Sequence, residues 1–271
     1  MVSVIAMNKK NSKILLLFGF VFLVALNVSA QKDVKNLPFG VGETLVYEGK
    51  FSKIIKGIAV AEMTFNVENA PNREDFLIRA EAKSKGTLTK LFRFSFLQEI
   101  DSTIDADEFR AIKTVKHDVQ KQRVRDSQAF FDYNENRVTY TETDPKDAMR
   151  PPRIIASEIE NKTHDLISGI YSLRVLPLAV GQNFELMVSD SGLVYKVPVR
   201  VTKREQLKTV LGKFWCFRVE PEVFGDNRFI EREGSMIIWI TDDARRIPIR
   251  AQINSNIGRI EVKLKSAKGL K

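Results

Sequence analysis

The sequence predicts a mainly β protein: one large curved antiparallel sheet or open barrel of about a dozen strands, with one short helix packed against it. Two observations support this prediction. Apolar residues alternate with polar residues along most of the chain, which is the period of half-buried strands. Residues 164–182 instead place their apolar residues at helical spacing.

The first thirty residues have the order of charged, apolar and small residues that is typical of a secretory signal peptide. Three lysines precede an apolar run of thirteen residues at 14–26, and small residues at 28–30 stand before Gln31. We expect cleavage after Ala30, which leaves a single β-rich domain at 31–271. A membrane anchor is the alternative, but the apolar run is shorter than the ~20 residues that span a bilayer.

A chain with this start is expected in the periplasm or outside the cell. No cysteine stands near the cleavage point, so the attachment residue of a bacterial lipoprotein is missing, and no integral membrane span is expected after cleavage. Met7 is an alternative start, because the export signal does not need the residues before it. The single cysteine, Cys216, cannot form an intramolecular disulfide.

The charge of the chain is positive but dispersed. Its formal net charge is +9, and loss of residues 1–30, which contain three lysines and no acid, leaves +6. Acids are interleaved with the basic residues, so no nucleic-acid groove is indicated. The surplus is consistent with an ordinary solvated surface or with affinity for an anionic surface such as lipid head groups or acidic glycans.

Alternation and turn signals divide the N-terminal half of the mature chain into strands. The candidates are 43–53, 59–68, 76–83, 100–105, 109–119, 126–133 and 137–142. Residues 143–153 follow as a polar surface loop with three prolines. This half should therefore form a meander of antiparallel hairpins.

Three phenylalanines form a large apolar face before the fourth of these strands. After a possible single helical turn at 86–91, Phe92, Phe94 and Phe96 alternate with polar residues. This face is interpreted either as core packing or as the mouth of an apolar cavity that takes a lipidic ligand.

The apolar pattern of residues 165–175 predicts the one substantial helix. Leu166, Ile170 and Leu173 are spaced i, i+4 and i+7, which gives the apolar stripe of an amphipathic helix. Pro177 disfavours a helical conformation of the residue before it, so the helix should end by residue 175.

The polar residues of this helix allow two interpretations. Asp165 or Thr163 can cap its first amides, and Asp165 is paired with Ser168 near the start. Tyr171 and Arg174 are neighbours on one flank. They either tie the helix to the sheet through hydrogen bonds and a carboxylate, or bind the anionic head of a ligand whose tail enters the barrel.

The C-terminal half returns to alternation. Its strand candidates are 184–188, 195–201, 215–219, 236–241, 247–253 and 260–264. Pro198 lacks the N–H that a ladder needs, so its strand is expected at a sheet edge or with a bulge.

No catalytic, metal or cofactor site is predicted. His117 and His164 have no second histidine or cysteine at ligand spacing, so zinc and iron lack their usual ligands. Cys216 stands among aromatic residues and is interpreted as a core residue. Asp242 and Asp243 are adjacent carboxylates, but they point to opposite faces at a strand end and are interpreted as turn residues.

Three blocks of the sequence resemble a known family. They are Gly42 to Tyr47; Asp165, Ser168 and Tyr171 with Arg174 and Gly181; and Trp239, Asp242 and Asp243 with Pro248. In this order they are similar to the exported bacterial family known as domain of unknown function 3108, over about Phe39 to Leu264. The resemblance implies a periplasmic β-rich protein with no established activity. By shape, such proteins are similar to the LolA- and LolB-like half-barrels that carry lipoproteins or lipids across the bacterial envelope, which is an analogy of fold.

Three functions are compatible with these residues. The first is an exported, non-enzymatic cell-envelope protein that binds a hydrophobic or amphipathic ligand, a lipid or an acylated protein, in a barrel-like cavity. The second is a structural or assembly protein that contacts other envelope proteins through a sheet edge. The third is a hydrolase of a cell-wall or glycan substrate. The first is favoured because the phenylalanine face is large and catalytic residues are few.

Overall fold

Fifteen strands and two helices make up the part of the chain that the computed structural model describes, residues 37–52, 57–72, 74–256 and 258–271. The predicted signal peptide and its cleavage point lie outside these residues. The helices are α1 (Gly86–Phe92) and α2 (Leu166–Val175). The strands are β1 (Thr44–Ser52), β2 (Ile58–Asn69), β3 (Phe76–Ser84), β4 (Phe96–Ile104), β5 (Ala111–Gln120), β6 (Arg123–Asp132), β7 (Arg137–Thr143), β8 (Arg153–Glu158), β9 (Thr163–His164), β10 (Asn183–Asp190), β11 (Leu193–Thr209), β12 (Gly212–Pro221), β13 (Gly234–Thr241), β14 (Pro248–Ser255) and β15 (Gly258–Lys268).

All the described strands belong to one open sheet. Its order is β8-β7-β6-β5-β4-β3-β2-β1-β15-β14-β13-β12-β11-β10-β9, so two meanders meet where β1 pairs with β15. Neighbouring strands are antiparallel, except that the two-residue β9 runs parallel to β10. The prediction of a mainly β fold with one large antiparallel sheet and a helix at about 165–175 is confirmed.

The two strands at the ends of the sheet, β8 and β9, were not predicted from the sequence. β8 begins at the last residue of the predicted loop and has mostly exposed side chains, so it lacks a clear apolar alternation. β9 is too short for any period to appear. β8 was therefore missed because it is exposed, and β9, although buried, because it is short.

The strand of Pro198 was predicted to lie at an edge or to carry a bulge. The second alternative is confirmed, because β11 pairs with both β10 and β12 and has a register shift. The Pro198 carbonyl accepts a hydrogen bond from Glu222 N at 2.8 Å, so the backbone of residue 198 faces the β12 side. On that side the ladder ends with the pair of Val199 and Pro221. The missing N–H therefore lies where the ladder to β12 ends, although β11 lies inside the sheet. β11 does have a register shift, between Val201 and Lys203.

Helix α2 packs between the two halves of the sheet. On one side, Leu173 belongs to a buried cluster with valines of β11 and isoleucines of β13. On the other, Ile167 and Tyr171 belong to a cluster with Phe39 and Ile78. The sheet therefore curves around the helix, which buries two flanks instead of the single stripe of a surface helix. No helix in the described ranges is long and apolar enough to cross a membrane.

The turn between β10 and β11 rests on β7 and β8, near the other end of the sheet. A Cβ atom added at Gly192 would lie 2.7 Å from Cβ of Tyr140 and 2.9 Å from Cβ of Ile155. Val194, just after this turn, packs against the buried cluster that contains Tyr140. Side-chain contacts, and not ladder hydrogen bonds, thus bring the two ends of the open sheet together.

Replacement of Gly192 by alanine tests this contact. Its φ of +82° strains any L residue, by about 1–2 kcal/mol, and the new methyl group would meet Cβ atoms that cannot rotate away, which adds about 1–3 kcal/mol. The control is Gly181→Ala, because Gly181 has a φ of +90° and nothing within 4 Å of an added Cβ. Urea unfolding should show the larger loss of stability for Gly192→Ala; equal losses would contradict the contact.

Candidate functional site

Helix α2 begins with a capping box. The amide of Ser168 donates to Asp165 Oδ1 at 2.7 Å, and the amide of Asp165 donates to Ser168 Oγ at 2.9 Å. Asp165, and not Thr163, is therefore the N-cap residue. The second oxygen of Asp165 accepts a hydrogen bond from Thr114 Oγ1 on β5 at 2.6 Å, which fixes the start of the helix to the sheet.

The end of α2 is held by a buried ion pair between Arg174 and Glu43. Nη1 and Nη2 of Arg174 donate to the two carboxylate oxygens of Glu43 at 2.5 and 2.8 Å, and both side chains are 0% exposed. Further hydrogen bonds of Arg174 reach main-chain carbonyls. Nη2 donates to Pro38 O and Arg245 O, and Nε donates to Arg246 O, at 3.0–3.1 Å. All three nitrogen atoms of the guanidinium therefore donate hydrogen bonds to protein oxygens.

Two tyrosines surround this ion pair. The Tyr171 hydroxyl donates to Glu43 Oε1 at 3.5 Å, and the Tyr47 hydroxyl donates to Pro248 O at 2.8 Å. Burial, followed by the Glu43 charge, raises the pKa of Tyr171 well above its usual value. Burial also raises the pKa of Tyr47. Tyr171 and Arg174 also line an apolar cavity, but a ligand head group would have to compete with these protein partners for the guanidinium. Ligand binding by Tyr171 and Arg174 stays a prediction, and the geometry favours the alternative that they tie the helix to the sheet.

The other residues of the three family-like blocks lie in turns or make contacts within the fold. Trp239 Nε1 donates to Glu205 at 2.7 Å, and the Gly181 amide donates to Val201 O at 2.8 Å. Asp243 accepts the amides of residues 245 and 246, as the turn interpretation requires. Asp242 Oδ2 accepts a hydrogen bond from Arg204 Nε at 2.7 Å.

The reactive side chains singled out in the sequence are dispersed. Burial raises the pKa of the Cys216 thiol to about 11, so it is protonated at neutral pH. His117 lies in a pocket lined by residues of β2, β3 and β4, with Nδ1 at 2.5 Å from Asp126. In the ranges that the structure describes, no group of three or more His, Cys, Asp or Glu is placed to hold a metal ion.

His164 is buried beside Phe109, with ring centroids 6.2 Å apart. No hydrogen-bond partner for its Nδ1 occurs among the described residues. Burial lowers the pKa of His164 to about 4, although the nearby Asp165 carboxylate acts in the opposite direction. The imidazole is therefore neutral at pH 7.

Two apolar cavities adjoin α2 inside the curved sheet. The larger has a volume of about 280 Å³ and the smaller of about 180 Å³. Met63, Phe65, Ile170 and Met236 line both, so the cavities are neighbours. Ile170 stands between them and is 36% exposed, although it lies in the predicted apolar stripe of the helix. Together the cavities reach the size of small-molecule sites, which is about 300–1,000 Å³.

The predicted phenylalanine face lies beside this space and not in its lining. Phe94 and Phe96 are partly buried, with ring centroids 6.3 Å apart, and the side chain of Phe92 is outside the described part of the structure. Gln98 and Ile100, which continue the same face of β4, do line the larger cavity. A ligand role for the three phenylalanines stays a prediction. Met63 and Phe65 line both cavities but were not predicted as ligand-binding residues. Their alternation along β2 was the signal in the sequence that could have identified them.

The fold and its interior define a barrel-like β protein with a central helix and apolar cavities beside that helix. The chain belongs to the family described as Protein of unknown function (DUF3108), whose family model matches residues 46–265. The family resemblance of the three sequence blocks is thereby confirmed. No curated protein sequence matches the chain.

The chain is similar to several solved structures at low sequence identity. A β-barrel-like protein of domain of unknown function DUF1849 from Brucella abortus is 11% identical with a TM-score of 0.56, covering 84% of this chain and 97% of the other. A protein from Bacteroides fragilis, described as exported and with a YmcC-like fold, is 10% identical with a TM-score of 0.33, covering 86% and 98%. A protein from Parabacteroides distasonis, described as a lipoprotein, is 11% identical with a TM-score of 0.32, covering 86% and 98%. Only the first supports a shared fold, and the likeness to LolA and LolB stays a prediction.

The ion pair leads to a first prediction for this site. Arg174→Met should lower the free energy of unfolding by about 3–5 kcal/mol, because it leaves the Glu43 carboxylate buried without a cation. The double variant Glu43→Leu/Arg174→Met should recover part of this loss, since it removes both charges. Urea unfolding of both variants measures the difference. A single variant as stable as the natural chain would show that the ion pair is not needed.

The buried histidine leads to a second prediction. Unfolded His164 has its ordinary pKa near 6.5, whereas the folded value is about 4, so the unfolded chain binds more protons between these pH values. Its contribution to stability is complete above pH 6.5 and falls as the pH decreases toward 4. Between pH 7 and pH 4.5, the natural chain should lose about 2–3 kcal/mol more than His164→Gln in urea unfolding. Equal losses of stability in the natural chain and in His164→Gln would contradict the lowered pKa of His164.

Proposed function

We propose that this protein is an exported, non-enzymatic protein of the cell envelope that binds the acyl chain of a lipid or of an acylated protein in the two cavities beside α2. The observation that carries the proposal is the apolar space on both sides of Ile170. An acyl chain is the ligand chemistry that fits a narrow apolar space shared between two neighbouring cavities.

The construction of the helix supports this proposal. Its two ends are fixed by the capping box at Asp165 and by the ion pair at Arg174, so Ile170 between them cannot readily move to close the cavities. The walls are formed by strands from both halves of the sheet, including Phe65 on β2, Leu186 on β10 and Ile253 on β14. A ligand here would bury apolar surface without requiring the fold to rearrange.

Export through a signal peptide cleaved after Ala30 belongs to the same proposal. Periplasmic protein should then begin at Gln31, which N-terminal sequencing or intact-mass measurement determines. The alternative of an assembly protein predicts a different result at the edge strand β8, where Ile154 is 63% exposed. In that case crosslinking in the envelope would capture a stoichiometric protein partner, and the purified protein would contain no lipid.

A variant that fills the cavity tests the proposal. Protein purified from its own envelope should release lipid on organic extraction and show bound mass in native mass spectrometry. Ile170→Trp should lower the affinity for the apolar dye N-phenyl-1-naphthylamine at least about tenfold, because the indole occupies space that several methylene groups would use.

The matched control is Val175→Trp, at the end of the same helix and 39% exposed but outside both cavity linings. It should bind the dye like the natural chain. Protein without extractable lipid that also leaves the dye unbound would exclude the proposed function.

A further inference from the structure

We propose that the ligand has an anionic head group and that Lys116 on β5 binds it. This inference rests on the proposed function and specifies the chemistry of the same site. It assigns the anion-binding role to a lysine on the sheet, whereas the sequence pattern had suggested Arg174 on the helix.

The strand register places Lys116 on the inner face of the sheet. It stands directly opposite Ile100 on β4, which lines the larger cavity, and opposite Ser127 on β6. Residues directly opposite each other in antiparallel strands point to the same face. The same row continues from Ile100 to Ala80 and Phe65, which also line the larger cavity. Lys116 therefore extends the wall of the apolar space with a positive charge.

The ammonium group of Lys116 has no hydrogen-bonding or ion-pair partner among the residues that the structure describes, although the side chain is partly buried. An ammonium group that no protein group engages is free to bind an anion supplied by a ligand. Arg174 differs in this respect, because its donors already reach Glu43 and three carbonyls. Arg174 lines the smaller cavity but already has a carboxylate partner, whereas Lys116 has none among the described residues.

Lys116 lines a small chamber that shares wall residues with the larger apolar cavity. Its volume is about 40 Å³, which is enough for the polar end of a ligand or for a few waters. Ile100 and Leu166 line both this chamber and the larger cavity. The hydroxyl-bearing residues Ser127 and Ser189 also line the chamber, and hydroxyl groups can donate to an anion. A chain in the apolar cavity would accordingly end beside Lys116.

The carboxylates of Asp165 and Asp190 also line the chamber and reduce the expected preference for an anionic ligand. Asp165 accepts hydrogen bonds from Ser168 and Thr114, so its oxygens are occupied at the start of α2. Asp190 accepts a hydrogen bond from Ser191 Oγ at 3.1 Å. Their charges oppose an anion, so the head group must lie on the Lys116 side of the chamber. We expect a preference for anionic over neutral ligands of about tenfold, the low end for a hydrogen bond to a charged group.

Displacement of N-phenyl-1-naphthylamine by three ligands tests the inference. Palmitate and lysophosphatidate carry a carboxylate and a phosphate, and hexadecanol is a neutral counterpart with a similar chain. The natural protein should bind at least one anion about tenfold more tightly than hexadecanol, and the two anions distinguish a free fatty acid from a phospholipid as the source. Lys116→Met should abolish this preference and leave hexadecanol binding unchanged.

Two control variants separate charge from folding. Lys116→Arg retains the cation and should retain the preference. Lys113→Met removes a lysine of the same strand that instead stacks on Phe130, with Nζ 4.8 Å from the ring centroid, and should change nothing. Hexadecanol binding without anion preference, or a preference that survives in Lys116→Met, overturns this inference alone. Failure of all three ligands and of the dye to bind overturns both this inference and the proposed function.

Discussion

The buried ion pair between Arg174 and Glu43 is the interaction on which the arrangement of the interior depends. Removing two charges from water is costly, and here the guanidinium recovers that cost through a bidentate carboxylate and three carbonyls. These partners come from the segment before β1 and from the turn between β13 and β14. One arginine thus joins the helix to two separate parts of the chain, and it can do so only when α2 lies inside the curved sheet.

The position of the helix then divides the interior into regions of different chemistry. Beside α2, strands of both halves contribute apolar side chains, and Ile170 remains partly exposed to the space between them. Further along the sheet, the inner faces of β5 and β6 carry Lys116 and Ser127. The apolar region and the chamber at Lys116 share two wall residues, an arrangement that suits a ligand with an apolar chain and an anionic end.

The sequence predicted the class of fold because the physical cause is local. A half-buried strand must alternate, and the central strands of both meanders do so clearly enough to be found. The exceptions follow the same physics. β8 buries too little surface to alternate, and Pro198 sits where the ladder to β12 ends, so a residue that usually marks an edge is tolerated inside the sheet.

What the sequence by itself determined is most of the elements: the strands other than β8 and β9, the helix with its end before Pro177, and two candidate capping residues at its start. These depend on neighbours a few residues apart. Only the tertiary structure decided that Arg174 meets Glu43, 131 residues away, and that Lys116 faces inward. Alternation assigns residues to two faces of a strand, but only the curvature of the whole sheet determines which face encloses the ligand space.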